Sequence, residues 1–197
     1  MIPKSLPHVP SYWLKTAGDL PGVRALPGDR TVEVAIIGGG LTGLSAAYHL
    51  AKTHGVEATV LEAHRVGWGA SGRNGGFASV FVGKVPLKER INRWGLEPAR
   101  RSVRLGADAV EGVRALIDAE GIRCDAQPPG YIYLAHRPEL VADLKARERL
   151  YRETLLYDRV EFLDRPALEQ GGFLLGPSAH GALRFQDPFG LHPMKYV

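Results

Sequence analysis

The sequence predicts an α/β protein, and three observations lead to that prediction. An apolar, mostly β-branched run at 32–37 predicts a strand, and a helical pattern at 41–54 follows it. A second apolar run at 58–61 completes a strand-helix-strand order, and a glycine-rich turn joins the first strand to the helix. The composition agrees, because 45% hydrophobic and 23% charged residues in 197 are typical of a globular chain and exclude a disordered one.

The first strand is expected to be buried on both faces of a parallel sheet, because only Glu33 interrupts its apolar residues. The helix after the turn carries apolar residues on one side and is expected to end near His54. Gly55 suits a left-handed cap at that end. The second strand is expected over Ala58–Leu61. These local patterns define a parallel β-α-β unit.

The glycine turn and the acid after the second strand have separate mechanical reasons. Gly38 permits a tight turn, and Gly40 lets backbone amides approach a pyrophosphate at the N-terminus of the helix. Gly43 lets the helix pack closely on the sheet. Glu62 lies 19 residues after Gly43, where a carboxylate accepts hydrogen bonds from a ribose diol and repels a 2′-phosphate. The motif predicts dinucleotide binding and disfavours NADP; the alternative is a glycine-rich turn without a ligand.

The segment after Glu62 bears on which dinucleotide is bound. Residues 63–76 read AHRVGWGASGRNGG, a composition unusual for a core element. Such a loop brings backbone donors and polar side chains alongside a second part of a large cofactor. An NAD site does not need a second glycine-rich element, whereas an FAD molecule stretched across the fold commonly uses one. The segment favours FAD, and an NAD-dependent dehydrogenase is the alternative.

The sequence from Val32 to Phe77 resembles the FAD-dependent oxidoreductases of the D-amino-acid oxidase superfamily. Within it, RVGWGASGRNGG, together with SYW at 11–13, is most similar to the gamma-glutamylputrescine oxidase-like branch. The resemblance implies a Rossmann-like FAD/NAD(P)-binding domain, incomplete in this chain, with the beginning of an α+β substrate domain. It implies FAD as cofactor, with residues that contact its pyrophosphate, its adenosine and the ribose of that adenosine, and with a loop that runs beneath its phosphates. The residues it assigns to that role are Gly38, Gly40, Leu41, Thr42, Gly43, Glu62, Ala63, Arg65, Ser71, Arg73, Asn74, Gly75 and Gly76.

The resemblance also implies an activity. A neutral primary or secondary amine, or an amino acid, would lose a hydride to flavin N5, the imine would hydrolyse, and O2 would reoxidise the flavin to give H2O2. Superfamily members are longer than this chain, which implies an N-terminal fragment that is inactive alone. The nonenzymatic alternative is a truncated FAD-binding fragment or pseudoenzyme without turnover. The sequence identifies no catalytic side chain, and the substrate, the electron acceptor and the oligomeric state stay open.

Charge and cysteine content exclude other classes of protein. The formal net charge is +4, but the densest cationic cluster, at 100–104, is closely followed by acidic residues, as on a solvated helix face. This pattern excludes a nucleic-acid partner. The single cysteine, Cys124, excludes an intramolecular disulfide and multi-cysteine metal clusters, and no histidine spacing indicates a metal site. With no signal-peptide core and no apolar run that would span a membrane, the expected location is cytoplasmic.

The domain organisation follows from these motifs. Residues 1–30 are predicted to form an extended, Pro- and Gly-rich arm, 31–120 the N-terminal part of the FAD-binding domain with a following helix, and 121–197 the truncated start of the substrate domain. Cys124 is interpreted as an inert core residue. Tyr131 and Tyr133 share one strand face, with a packing role favoured over a substrate cavity. The later elements expected are a helix at 97–120, strands at 122–125 and 131–135, a helix from Pro138 to about 155, a strand at 160–163, a helical turn at 166–170, a strand at 181–186 and a helix opening at His192-Pro193.

Overall fold

The computed structural model describes residues 10–20, 22 and 24–197 of the chain. Contacts within the chain divide it into two compact units. The first unit holds the described residues up to Gly76 together with Ile122–Ala126 and Leu191–Val197. The second unit holds Phe77–Gly121 and Gln127–Gly190. This division differs from the predicted boundaries, because the long helix before residue 121 lies in the second unit.

The first unit contains the predicted strand-helix-strand motif. A short helix, α1 (Tyr12–Thr16), precedes it, and the motif consists of β1 (Val34–Ile37), α2 (Leu41–His54) and β2 (Ala58–Leu61). The two strands are parallel, with Val34 opposite Ala58 and Ile37 opposite Leu61. Gly55 ends α2 with a φ of 66°, the left-handed conformation that glycine adopts without strain. The structure therefore confirms the β-α-β prediction and its helix cap.

The burial expected for the first strand is wrong in this structure. Ile37 is 91% exposed, and Ala35 is exposed as well. The reason is that β1 pairs with β2 alone within the described residues, so one edge and part of one face have no partner there. Helix α2 has no fully buried residue either. The apolar character of the strand is nevertheless typical of a sheet interior.

The N-terminal segment is not extended over the whole range that was predicted. Helix α1 begins after Ser11, whose hydroxyl accepts a hydrogen bond from the Leu14 amide at 3.1 Å, as an N-cap residue does. The Pro and Gly content of residues 1–30 concealed this cap. The parts of the predicted arm at 1–9, 21 and 23 lie outside the described residues.

A second strand prediction is also wrong. Residues Ile122–Asp125 form no strand; the Cys124 amide donates to the Ile122 carbonyl at 3.0 Å, and Asp125 has a φ of 52°. A left-handed residue interrupts the extended backbone that a strand requires. Cys124 is nonetheless buried, and burial raises the pKa of its thiol, in agreement with an inert core residue.

The second unit combines a three-stranded antiparallel sheet with long helices. The elements are β3 (Phe77–Ala78), α3 (Leu87–Trp94), α4 (Leu96–Glu120), β4 (Tyr131–Leu134), α5 (Leu140–Arg149), a π-helical turn (Leu150–Thr154), β5 (Val160–Leu163), α6 (Arg165–Gln170), β6 (Ala182–Phe185) and β7 (Phe189–Gly190). The sheet has the order β4-β6-β5, and the short strands β3 and β7 pair with each other. The remaining helix, α7 (Pro193–Tyr196), belongs to the first unit and confirms the opening predicted at His192-Pro193.

One face of the sheet in the second unit carries the aromatic core. Tyr131 and Tyr133 lie on the same face, with ring centroids 4.9 Å apart, and Phe185 on β6 is fully buried beside Tyr133 and Tyr151. Register places Tyr131 opposite Phe185, which explains why the three rings meet. The shared tyrosine face is therefore confirmed.

Within the described residues, no helix is both long and apolar enough to cross a membrane.

Candidate cofactor-binding site

The glycine turn closes the carboxyl end of the two parallel strands. Gly38 has a φ of 107°, a conformation that residues with a Cβ rarely adopt, and its amide donates to the Leu61 carbonyl at 2.8 Å. The next amide, that of Gly39, donates to Glu62 Oε2 at 2.7 Å. The turn is thus tied to the second strand by two hydrogen bonds from consecutive amides.

The other two glycines of the motif stand where the backbone has no room for a side chain. A Cβ at Gly43 would overlap the Gly38 carbonyl oxygen and lie 3.1 Å from Ile36 Cγ2, so close packing of the helix on the strand requires glycine. A Cβ at Gly40 would lie 2.9 Å from Ser71 Oγ. The position of Gly43 agrees with the packing role inferred from the sequence, and the part of Gly40 in binding a pyrophosphate stays a prediction.

Glu62 holds its carboxylate against the turn. Its Oε1 accepts from the His64 amide at 2.9 Å while Oε2 accepts from Gly39. Burial alone would raise the pKa of this carboxyl, but the two backbone hydrogen bonds outweigh that effect and hold the pKa below its ordinary value. The group is therefore ionised at neutral pH. A carboxylate has about four acceptor positions, so two bonds to amides leave acceptors for two ribose hydroxyls.

The loop after the second strand returns to the N-terminus of α2. Ser71 lies in a 3₁₀ turn, Ala70–Gly72, and its Oγ accepts from the Leu41 amide at 2.9 Å. It therefore caps a helix whose own N-cap residue, Gly40, has no side chain to do so. Thr42 is the second residue of α2, so its amide belongs to the same group of N-terminal donors. Ser71 is thus brought to the predicted phosphate end of the helix.

The polar side chains beyond Ser71 hold the loop itself together. Asn74 donates from Nδ2 to the Ser71 carbonyl at 2.9 Å and accepts the Gly76 amide at Oδ1 at 2.8 Å. Arg73 donates from Nε to the Gly69 carbonyl at 3.2 Å, and its guanidinium lies over the Trp68 ring, 5.1 Å from the centroid. The structure does not bring Arg73 or Asn74 into contact with Glu62. Their predicted place beneath the phosphates therefore rests on the resemblance.

Arg65 differs from these residues because part of its guanidinium has no partner. Its Nε and Nη2 atoms are buried and form no hydrogen bond within the part of the chain that the structure describes. An unpaired buried guanidinium is costly, so these donors point to an anionic or polar group that completes the site. Nearby, His64 and Trp68 stack with ring centroids 4.4 Å apart. Ala63 and Gly75 are exposed.

Support for this loop comes from the end of the chain, which the sequence did not reveal. A Cβ at Gly67 would lie 2.5 Å from Val197 Cγ1 and 2.9 Å from Met194 Cε. A Cβ at Gly76 would overlap the Leu191 carbonyl oxygen. The glycines signal close approach, but a sequence does not identify a neighbour more than a hundred residues away.

These groups fit the adenosine diphosphate part of a dinucleotide. An ionised carboxylate with spare acceptors, a glycine-lined helix N-terminus and an unpaired guanidinium complement a ribose diol and a pyrophosphate. The family model described as "FAD dependent oxidoreductase" matches residues 33–197. The chain belongs to this family of FAD-dependent oxidoreductases. Its cofactor is FAD, which decides between the two dinucleotides and confirms the predicted superfamily.

Individual relatives extend the comparison. The chain is 33% identical over 188 residues to "Probable oxidoreductase OrdL" from Rhizobium meliloti (strain 1021) and 32% identical to gamma-glutamylputrescine oxidoreductase from Escherichia coli (strain K12). Each alignment covers 95% of this chain and 42% of the relative, so the chain spans less than half the length of these proteins.

Solved structures support the fold. An L-amino acid deaminase from Proteus vulgaris, with its specific insertion sequence deleted, matches with a TM-score of 0.66 at 16% identity, over 96% of this chain and 46% of that one. Glycine oxidase from Geobacillus kaustophilus matches with a TM-score of 0.56 at 23% identity, over 83% and 41%. At these identities the likeness shows the fold alone, and it confirms the predicted Rossmann-like α/β class.

Proposed function

We propose that this chain supplies the adenosine- and pyrophosphate-binding part of an enzyme that oxidises an amine or amino acid with FAD. The observation that carries the proposal is the meeting of the Glu62 carboxylate and the N-terminus of α2 at one glycine turn, with the unpaired guanidinium of Arg65 three residues after Glu62 in the chain. The names of similar proteins support an amine or amino acid as the substrate class. Gamma-glutamylputrescine oxidoreductase, glycine oxidase and L-amino acid deaminase are each named for an amine or amino acid.

Each residue of the turn has a defined part in holding the cofactor. Glu62, ionised at neutral pH, accepts hydrogen bonds from the ribose hydroxyls while Gly39 and His64 hold its two oxygens in place. Amides at the start of α2 donate to the pyrophosphate, where the helix dipole favours negative charge. Arg65 donates from Nε and Nη2 to an acceptor in the adenosine half of the cofactor. Ser71 competes with the pyrophosphate for the Leu41 amide and keeps that end of the helix satisfied in its absence.

The reaction follows from the cofactor and the substrate class. When bound, FAD supplies a two-electron acceptor for the C–H bond beside the amine nitrogen. We propose that the resulting imine hydrolyses and that O2 takes the electrons to give H2O2. The second unit, with its antiparallel sheet, is proposed as the start of the substrate domain. The contribution of this chain to turnover is then to anchor one end of FAD rigidly, which positions the other end.

The test uses the full-length protein that contains this chain. It is purified and its absorbance recorded, and it is then screened against primary amines, secondary amines and amino acids. Turnover is followed with a peroxidase-coupled assay and, in parallel, with an artificial electron-accepting dye. The proposal expects a yellow protein that oxidises at least one of these classes. Bound FAD without turnover in either assay would instead favour a pseudoenzyme, and turnover with the dye but not with O2 would overturn the proposed electron acceptor.

A further inference from the structure

The second unit contains a cavity that the proposed cofactor site does not use. It has a volume of about 810 Å³ and lies between the segment 80–88, α4, β4 and the face of α5 that turns toward them. Cavities that bind small molecules fall in the range of about 300–1,000 Å³. The cavity is therefore large enough for a ligand with an apolar body and a polar head.

The charges around this cavity are mostly positive. Lys84, Lys88, Arg90 and Arg147 contribute basic groups to its lining, and Asp143 contributes the one carboxyl group among the lining residues that the structure describes. Low-dielectric walls with one sign of charge concentrate the field inside a cleft and attract ions of the opposite sign. The lining thus favours an anion over an amine.

Arg90 and Arg147 differ in the contacts that their guanidinium groups make. Arg90 donates from Nη1 to Ser102 Oγ at 2.8 Å and from Nη2 to the Val85 carbonyl at 3.1 Å, and it also bonds the Val82 carbonyl. It therefore fixes the segment that forms one wall. Arg147 is paired with no carboxylate in the described parts of the chain, and its guanidinium lies over the Tyr133 ring, 4.6 Å from the centroid. Its positive charge is left without a counterion.

Phenol groups stand beside that guanidinium. Tyr151 is buried and lines the cavity, and Tyr133 lines the cavity as well. Burial raises the pKa of Tyr151, so its hydroxyl keeps its proton at neutral pH and has a hydrogen to donate. Tyr151 lies in the π-helical turn Leu150–Thr154, and such turns occur frequently at functional sites.

The remaining walls are apolar. Phe81, Val103 and Leu144 line the cavity together with further aliphatic side chains. An apolar lining with a few convergent polar groups is typical of sites for small organic ligands. The combination indicates a molecule with a charged end and a hydrocarbon end.

We propose that this cavity binds an organic carboxylate, with the carboxylate between Arg147 and the tyrosine hydroxyls and the apolar body against Phe81, Val103 and Leu144. A planar guanidinium suits a carboxylate because it offers two parallel N–H donors. The site lies within the second unit, so this binding does not depend on FAD or on the proposed function.

The test is titration calorimetry on the full-length protein with three probes of the same skeleton. They are 8-phenyloctanoate, the uncharged 8-phenyloctanamide and the cationic 8-phenyloctylamine. The proposal expects the carboxylate to bind at least about tenfold more tightly than the amide, and the amine to bind most weakly. Equal affinities for the three probes, or no heat of binding for the carboxylate, would overturn it.

A pair of variants on one helix identifies the residue responsible. Arg147→Gln is expected to weaken the binding of 8-phenyloctanoate at least about tenfold and to leave the binding of the amide unchanged. Arg149→Gln, also on α5 but exposed and outside the cavity lining, is the matched control and is expected to bind like the parent. Arg147→Lys keeps the charge and is expected to recover part of the loss. Carboxylate binding unchanged in a folded Arg147→Gln protein would contradict the proposal. If Arg147→Gln does not fold, the folded Arg147→Lys protein is decisive: carboxylate binding weaker than that of the parent, with amide binding unchanged, would support the proposal, and carboxylate binding equal to that of the parent would contradict the role of the planar guanidinium.

Discussion

Replacing Glu62 tests the cofactor site most sharply among single substitutions. The Glu62 carboxylate accepts hydrogen bonds from two backbone amides, that of Gly39 at 2.7 Å and that of His64 at 2.9 Å. It is expected to accept hydrogen bonds from the two ribose hydroxyls as well. A hydrogen bond to a charged group contributes about 1.5–3 kcal/mol. Glu62→Ala removes the ribose acceptors and leaves two amides unpaired beside the cofactor. One lost ribose bond alone corresponds to a Kd for FAD about 10- to 150-fold higher.

The assay measures FAD binding to apoprotein prepared from the full-length protein, by quenching of flavin fluorescence. Glu57→Ala, an exposed acid just before β2, is the matched control and is expected to keep the parental Kd. Thermal unfolding of both apoproteins separates loss of contacts from loss of fold. An FAD affinity in folded Glu62→Ala within about twofold of the parent would refute the ribose role, because it is well below the effect of one charged hydrogen bond.

Three further predictions concern stability and reactivity. Gly43→Ala places a methyl against the Gly38 carbonyl and is expected to lower the free energy of unfolding, measured by denaturant titration, by about 1–3 kcal/mol. The control Gly112→Ala, in open space on α4, is expected to raise it by about 0.5–1 kcal/mol. Equal effects of the two substitutions would contradict the close packing at Gly43. Because the pKa of Glu62 is lower in the folded protein than in the unfolded chain, its ionised carboxylate adds stability at neutral pH that is lost as the pH falls through the folded-state pKa. The melting temperatures of the parent and Glu62→Gln are therefore expected to converge as the pH falls from neutral to below the ordinary range of a glutamate carboxyl. Buried Cys124 is expected to react with a thiol reagent only in denaturant, and rapid reaction of the native protein would show that it is accessible.

The sequence predicted well what depends on neighbouring residues. The predicted bounds of α2 and β2 match the observed ones, because the hydrophobic period, Gly55 and Glu62 are signals that neighbouring residues carry. The helix predicted at 97–120 likewise matches α4, which spans Leu96–Glu120. These signals were also sufficient for the family and the cofactor, since the glycine turn and the acid are close in sequence.

What the sequence did not predict depends on distant contacts or on single dihedral angles. The support of Gly67 by Met194 and Val197 joins segments far apart in the chain. The strand expected at 122–125 fails because Asp125 adopts a left-handed conformation, which hydrophobic pattern does not encode. Ser71 was assigned to the cofactor, but its bond to the Leu41 amide required the loop to fold back on α2. Residue roles in FAD binding stay predictions until the complex is examined.

A crystal structure of the full-length protein with FAD would show which of these residues bind each part of the cofactor. In that structure we expect both ribose hydroxyls within hydrogen-bonding distance of the Glu62 carboxylate, the pyrophosphate at the N-terminus of α2, and Arg65 Nε or Nη2 donating to the adenosine half. FAD bound with its ribose away from Glu62, or a fully occupied cofactor that leaves the Arg65 guanidinium unpaired, would contradict it.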